Sequence, residues 1–285
     1  MAGTLTVTQA ACHIPELWSS ETRDAVEATV VAAGLVDQDT VSALKGGPGD
    51  TLNIPYISNP TASTKSANTN ISLEVIGPSS AEASQVFTVA THQYVAFGVE
   101  NITDVQSKTN LRSKYTTKAG YVLAAATDTN LHTLPQSFSN TVGTLGVEPT
   151  FDNWLRASQY LDDANAPEED RFIIVRPATY YAMRKLDQFV NADYTASLGK
   201  MGTGRSRVGT IFGSVPVYKT TLVRAAAAGQ ADNWYCHKRG VYYCSQQIKS
   251  TSDWVIERDT TVVLMTHIYG YAEALQPPIT AGGGA

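Results

Sequence analysis

Residues 59–83 read NPTASTKSANTNISLEVIGPSSAEA, a Ser-, Thr- and Asn-rich stretch with little to bury, set between two runs patterned as β-strands. The run before it, TLNIPYIS at 51–58, contains Pro55, which has no backbone N–H and suits only a strand with one side unpaired. The run after it, SQVFTVATHQYVAFGVE at 84–100, alternates Phe87, Val89, Val95, Phe97 and Val99 onto one face. Two such arms, at ~3.3 Å per residue, would project roughly 50 to 65 Å from the body. A lone hairpin of that reach is marginal in water. The expectation is an extended finger that rests on another copy of the chain.

The flanking segments read as separate units. Ahead of the finger, residues 1–45 form an arm, with a helix expected over 21–33. Ser19 or Ser20 caps it, Glu21 and Asp24 suit its first turn, and Gly34 stops it. Its apolar stripe of Val26, Val30 and Val31 is too narrow to make a core. After the finger, Leu111, Tyr115, Ala119, Val122 and Ala126 recur at helical spacing. That predicts one helix over 104–134, about 45 Å long, capped by Thr103 and ended by Pro135.

A second helix fits 150–161, burying Phe151, Trp154, Leu155 and Leu161, followed by an acidic turn at 166–170 and a strand at 172–175. Pro177 is placed to start a further helix over 178–190, burying Tyr181, Leu186, Phe189 and Val190. Residues 192–207 hold three glycines and little that is apolar, so they read as a loop. Two short strands hinged at Gly213 follow in RVGTIFGSVPVYKTTLV. NWYCHKRGVYYCS reads as a hairpin turning at 238–240, which sets Cys236 near Val241 or Tyr242 rather than opposite Cys244. SDWVIERDTTVVLMTHIYGYAEALQPPI reads as two longer strands joined near Arg258 and Asp259, and the final AGGGA as a disordered tail.

The residues that carry chemistry do not converge. Glu168, Glu169 and Asp170 are consecutive in a surface turn, with Asp162 and Asp163 just before, and read as solvated acids. His13, His92, His132, His237 and His267 form no HxH, HExxH or HxxxH pair, so no metal motif is present. His92 and His267 read as interface or core polar groups in strands. GKMGTGRSR at 199–207 superficially suggests a phosphate loop, but its lysine precedes the later glycines and a strand follows, not the helix N-terminus that phosphate binding uses. No catalytic residue, metal site or cofactor is expected. With three cysteines and no pairing geometry for Cys236 and Cys244, the thiols read as small apolar side chains kept in a reducing compartment. Net charge is −5 and only 16% of residues are charged, which disfavours a nucleic-acid grip and fits surfaces buried against neighbours. No run approaches the ~20 apolar residues that span a bilayer. The start, MAGTLTVTQAACHIPELW, lacks the pattern of a secretory signal.

The order of parts, carried by RFIIVRP, IFGSVPVYKT and YCHKRGVYY, resembles the major capsid proteins of tailed bacteriophages. Over about residues 10–280 the chain is similar to their α+β Hong Kong 97-type fold, which encapsulin shells share. The resemblance implies an N-terminal arm at 1–45, an extended hairpin loop at 46–100, and a peripheral domain with its spine helix at 101–145 and 247–276. An axial α/β domain at 146–246 and a tail at 277–285 complete it. It implies self-assembly into pentamers and hexamers of an icosahedral virion shell enclosing double-stranded DNA, made in the host cytoplasm. Thr61, Lys65, Asn68 and Asn70 would lie over a neighbour, and Lys200, Arg205 and Arg207 near each ring's axis. Because the chain begins close to its arm, a separate scaffolding protein is expected, with a portal, a decoration protein as a further partner, non-specific DNA contact and no membrane. Some members of the family cross-link a hairpin lysine to a neighbour's asparagine with help from a glutamate. Lys65, Glu257 and Glu273 fit the first and last roles, but residues 247–280 contain no asparagine, so cross-linking is not expected. The alternatives are an encapsulin-like compartment and a β-rich soluble enzyme.

Overall fold

The computed structural model describes residues 27–55, 60–73, 84–100, 102, 111–144, 147–186, 207–212, 215–225, 231–274 and 280–284. In chain order the strands and helices are β1 (Thr51–Pro55), β2 (Ser84–Thr88), β3 (Thr91–Glu100), α1 (Leu111–Leu131), β4 (Asn140–Val142) and α2 (Phe151–Asp163). They continue with β5 (Arg171–Val175), α3 (Pro177–Met183), β6 (Arg207–Ile211), β7 (Val215–Lys219) and β8 (Asp232–His237). The last three are β9 (Val241–Val255), β10 (Thr260–Glu273) and β11 (Thr280–Gly284). Three sheets result: β1-β2, β3-β10-β9, and a six-stranded sheet in the order β4-β11-β8-β5-β7-β6.

The six-stranded sheet is covered on both faces, and its strands show it. Every residue of β5 is buried, as expected of a strand with core on each side. Ile173 and Val175 point into a cluster with Trp154, Leu161, Met183 and Tyr235. Phe172 and Ile174 point the other way, into a cluster with Leu131, Phe138, Trp234 and Tyr269. That second cluster joins the sheet to the end of α1 and the base of β9 and β10. Thr150 caps α2 by accepting from the Asn153 N–H, and Pro177 opens α3 as expected. Leu155 and Tyr181, expected inside, are exposed. In α2 the buried positions are Trp154, Ala157 and Leu161, which puts Leu155 on the far side of the helix. α3 stops at Met183, so only part of the span expected over 178–190 is helical, and residues 187–190, with Phe189 and Val190, lie outside the described residues.

Several expectations change once non-local contacts are included. Residues 27–31 are not helical; only a single 3-10 turn, Ala32–Gly34, forms before Gly34. The backbone N–H groups there are captured from outside, Val31 and Ala33 donating to Asp128 of α1. α1 ends at Leu131, ahead of Pro135, which instead sits in a 3-10 turn, Leu134–Ser137. Its buried face is Ala119, Leu123, Thr127 and Leu131, while Tyr115 and Val122 are exposed. Thr103 lies outside the described residues. The paired part of the finger is β1 against β2, Thr51 opposite Thr88 through Pro55 opposite Ser84. The rest of its return arm, β3, leaves to pair with β10. Gly270 permits that departure, because a Cβ there would sit 2.5 Å from the Thr88 carbonyl oxygen.

The segment expected as a hairpin at 238–240 is a crossing between sheets. β8 pairs with β5 and β11, β9 pairs with β10, and a 3-10 turn, Lys238–Gly240, carries the chain across. The local alternation was read correctly as strands but carries no record of their partners. Cys236 and Cys244 consequently pack in different clusters and are not bonded to each other. β9 and β10 do form the long pair expected, turning through Ile256–Arg258 with Asp259 at φ 47°. The tail is not disordered: β11 inserts between β4, to which it is parallel, and β8, to which it is antiparallel. α2 lies against β11, where glycines hold no side chain to keep the helix away.

Candidate assembly surfaces

Between β1 and β2, residues 60–73 have no regular structure and every one is exposed. A turn fixes part of this segment. Thr69 donates its hydroxyl to the Ser66 carbonyl at 2.7 Å, with Asn68 left-handed at φ 63°. Thr61, Lys65, Asn68 and Asn70 all lie on this segment, so the structure places these four candidates together. At its end Ile71 is 73% exposed and Leu73 89%. These two apolar residues were missed in the sequence, hidden in a polar stretch. Their period-two spacing in ISLEVI was the available signal. Lys200 and Arg205 lie outside the described residues. Arg207 opens β6, at one edge of the six-stranded sheet.

A second exposed apolar region lies on β9 and at its tip. In register, Ile248, Ser250, Ser252 and Trp254 share a face with Thr261, Val263, Met265 and His267 of β10. α1 covers that face over β3 and β10, with Tyr115 against Phe97 at 5.9 Å between ring centroids. It leaves the β9 side open, where Ile248 and Trp254 are exposed and Ile256 at the tip is 84% exposed. Between α1 and this strip runs an apolar crevice of about 190 Å³ lined by Leu123, Ala124, Thr127, Ile248, Met265 and His267.

The polar groups under these surfaces are held for structure. His267 is buried between α1 and the sheet. Thr127 spends its hydroxyl proton on the Leu123 carbonyl at 2.9 Å, so it accepts from His267 Nδ1–H at 3.0 Å. Nε2 therefore accepts from the Ser245 hydroxyl at 2.9 Å. The imidazole is thus held neutral, and burial pulls its pKa below the usual histidine value. His237 is lowered as well, first by burial and against the pull of Asp170. His132 is fully buried beside Asp128, His92 is exposed on β3, and His13 lies outside the described residues. Just before the acidic turn, Asp162 in the last turn of α2 is paired with the buried guanidinium of Arg171 at 2.7 Å. Arg171 also donates to the Ala166 and Pro167 carbonyls, so this acid has a structural partner.

Among the described residues no His, Cys, Asp and Glu side chains gather as a metal site, and no helix is long and apolar enough to cross a membrane. Lys65 is exposed, Glu257 lies in the turn at the tip of β9 and β10, and Glu273 accepts from Ser139 through its carboxylate.

No protein-family model and no curated protein matches the chain. Solved structures do. A structure from Mycobacterium phage Che8 is 22% identical, with a TM-score of 0.77 over 95% of this chain and 96% of its own. The capsid of Cyanophage P-SCSP1u is 15% identical, with a TM-score of 0.67 over 94% of this chain and 92% of its own. The mature capsid of bacteriophage PhiM1 is 15% identical, with a TM-score of 0.70 over 95% and 91%. The chain has the mixed helix-and-sheet fold of these phage capsid structures.

Proposed function

We propose that this chain is a structural major capsid protein, assembling into pentamers and hexamers of an icosahedral head around double-stranded DNA. The observation that carries the reading is the likeness to phage capsid structures over nearly the full length of the chain. The exposed apolar positions add support, since Ile71, Leu73 and Ile256 would each gain about 1.5 to 3 kcal/mol if buried on a neighbour. In this reading residues 1–45 are the arm and 46–100 the hairpin loop. Residues 101–145 and 247–276 form the peripheral domain on its spine helix α1, and 146–246 the axial domain, joined by β11 from the tail. Thr61, Lys65, Asn68 and Asn70 rest on an adjacent subunit. Lys200, Arg205 and Arg207 face the ring axis.

The partners are further copies of the chain, with scaffolding, portal and decoration proteins met during assembly, and DNA touched without sequence preference. The work is mechanical and needs no cofactor. The site of action is the virion, after assembly in the host cytoplasm. Size-exclusion chromatography with negative-stain microscopy of the purified chain tests this. Rings, or closed particles, are expected. A chain that stays monomeric at every concentration, alone and with a co-expressed scaffold, would overturn it. Closed particles carrying a co-purified enzyme would point to an encapsulin-like compartment instead.

A further inference from the structure

We propose that residues 27–33 are an intrachain strap that fixes the angle between α1 and the six-stranded sheet, with Asp128 as its buckle. α1 packs along β3 and β10, and it meets the core of the six-stranded sheet at its C-terminal end, where Leu131 joins the cluster around Trp234. Lys118 and Tyr121 stand well up the helix from Leu131, about 20 Å away for Lys118 at 1.5 Å per residue. A helix held at one end pivots there unless something ties it further along.

Residues 27–33 supply that tie. The Ala28 N–H donates to the Tyr121 hydroxyl at 2.8 Å, and Lys118 meets Glu27 at 2.6 Å. On the opposite side the Thr29 carbonyl accepts from Thr220 Oγ1 at 2.6 Å, and Thr220 is the residue that follows β7. Neighbouring strap residues Ala28 and Thr29 are therefore bonded to opposite sides, one to the helix and one to the end of β7. Asp128 closes the far end. It is wholly buried, and its two oxygens accept from the Val31 N–H at 3.0 Å and the Ala33 N–H at 3.1 Å. Those donors open the 3-10 turn Ala32–Gly34, which has no cap from its own side chains, so Asp128 caps it from another element. The surface pair of Glu27 and Lys118 adds little. The buried carboxylate and Thr220 carry the strap.

The test uses the unassembled full-length subunit, so it is independent of whether the chain builds shells. The variants are Asp128→Asn, which leaves one of the two N–H groups without an acceptor, and Thr220→Val, which keeps shape and removes the hydroxyl. Hydrogen exchange over residues 28–35 should rise about tenfold or more in either variant, with β5 and β8 unchanged and Thr220→Ser restoring protection. Spin labels at Lys114 on α1, far from the Leu131 end, and Tyr181 on α3, both exposed, should give one narrow distance in the parent and a broadened one in the variants. If Asp128→Asn fails to fold, Thr220→Val alone decides. Unchanged exchange would remove the buckle, and raised exchange with an unchanged distance would show that the segment does not set the angle.

Discussion

A single histidine shows how burial becomes a pH response. His267 is neutral in the fold, with both ring nitrogens bonded to uncharged hydroxyls and no carboxylate among the causes of its shift. Its folded pKa lies below the ordinary histidine value, so the unfolded chain binds the proton more tightly. Stability is therefore full above the unfolded pKa and declines as pH falls from there towards the depressed folded value. Within that window about 1.4 kcal/mol per pH unit is the ceiling on the slope for one such group. Urea titrations of the unassembled subunit between roughly pH 7.5 and 5.5 should show it. In His267→Gln the slope should shrink to the part owed to His237, which burial also lowers. An identical slope in the variant would remove His267 from the account.

At the scale of elements, the C-terminal strand gives the sharpest contrast between sequence and structure. A run of glycines has poor strand propensity and reads as disorder, yet Thr280–Gly284 fills the gap between β4 and β8. Deleting residues 280–285 should cost on the order of 3 to 5 kcal/mol, from ladder bonds worth about 1 kcal/mol each. It should also raise hydrogen exchange across β8. A disordered tail would be lost without any change. What was legible and what was not follow one rule. The strand Arg171–Val175, the start of α3 at Pro177, helix α2 and the long pair β9 and β10 were readable because propensity, proline placement and alternation are local. The crossing at Lys238–Gly240, the captured backbone at 27–33 and the glycine strand were not, because each is decided by a partner far along the chain. The face of α1 fell between these cases. Its helical period was plain and Ala119 was placed in the stripe, but Leu123 and Thr127 complete the buried side in place of Tyr115 and Val122, because β10 and the strap cover that face.

For the whole molecule, the same rule explains why the polar character of residues 60–73 was legible and their exposed apolar part was not. The sequence identified a polar finger, and the structure adds that Ile71 and Leu73 stand on it with almost no cover from their own chain. Apolar side chains so placed contribute nothing to the subunit and are free to stabilise a contact with another copy. Ile71→Ser with Leu73→Ser should thus leave the urea midpoint of the subunit within about 0.5 kcal/mol of the parent. The contact loses about 1.5 to 3 kcal/mol for each residue it buries, which weakens one interface on the order of a hundredfold or more. A closed shell repeats the contact in every subunit, so the loss recurs around each ring and assembly should fail at concentrations where the parent forms particles. Light scattering against concentration separates the cases. A double variant that folds normally and assembles at the parent's threshold would mean that these residues remain in solvent in the particle. The contact would then belong to the open strip of β9, where Ile248, Trp254 and Ile256 are the exposed apolar side chains.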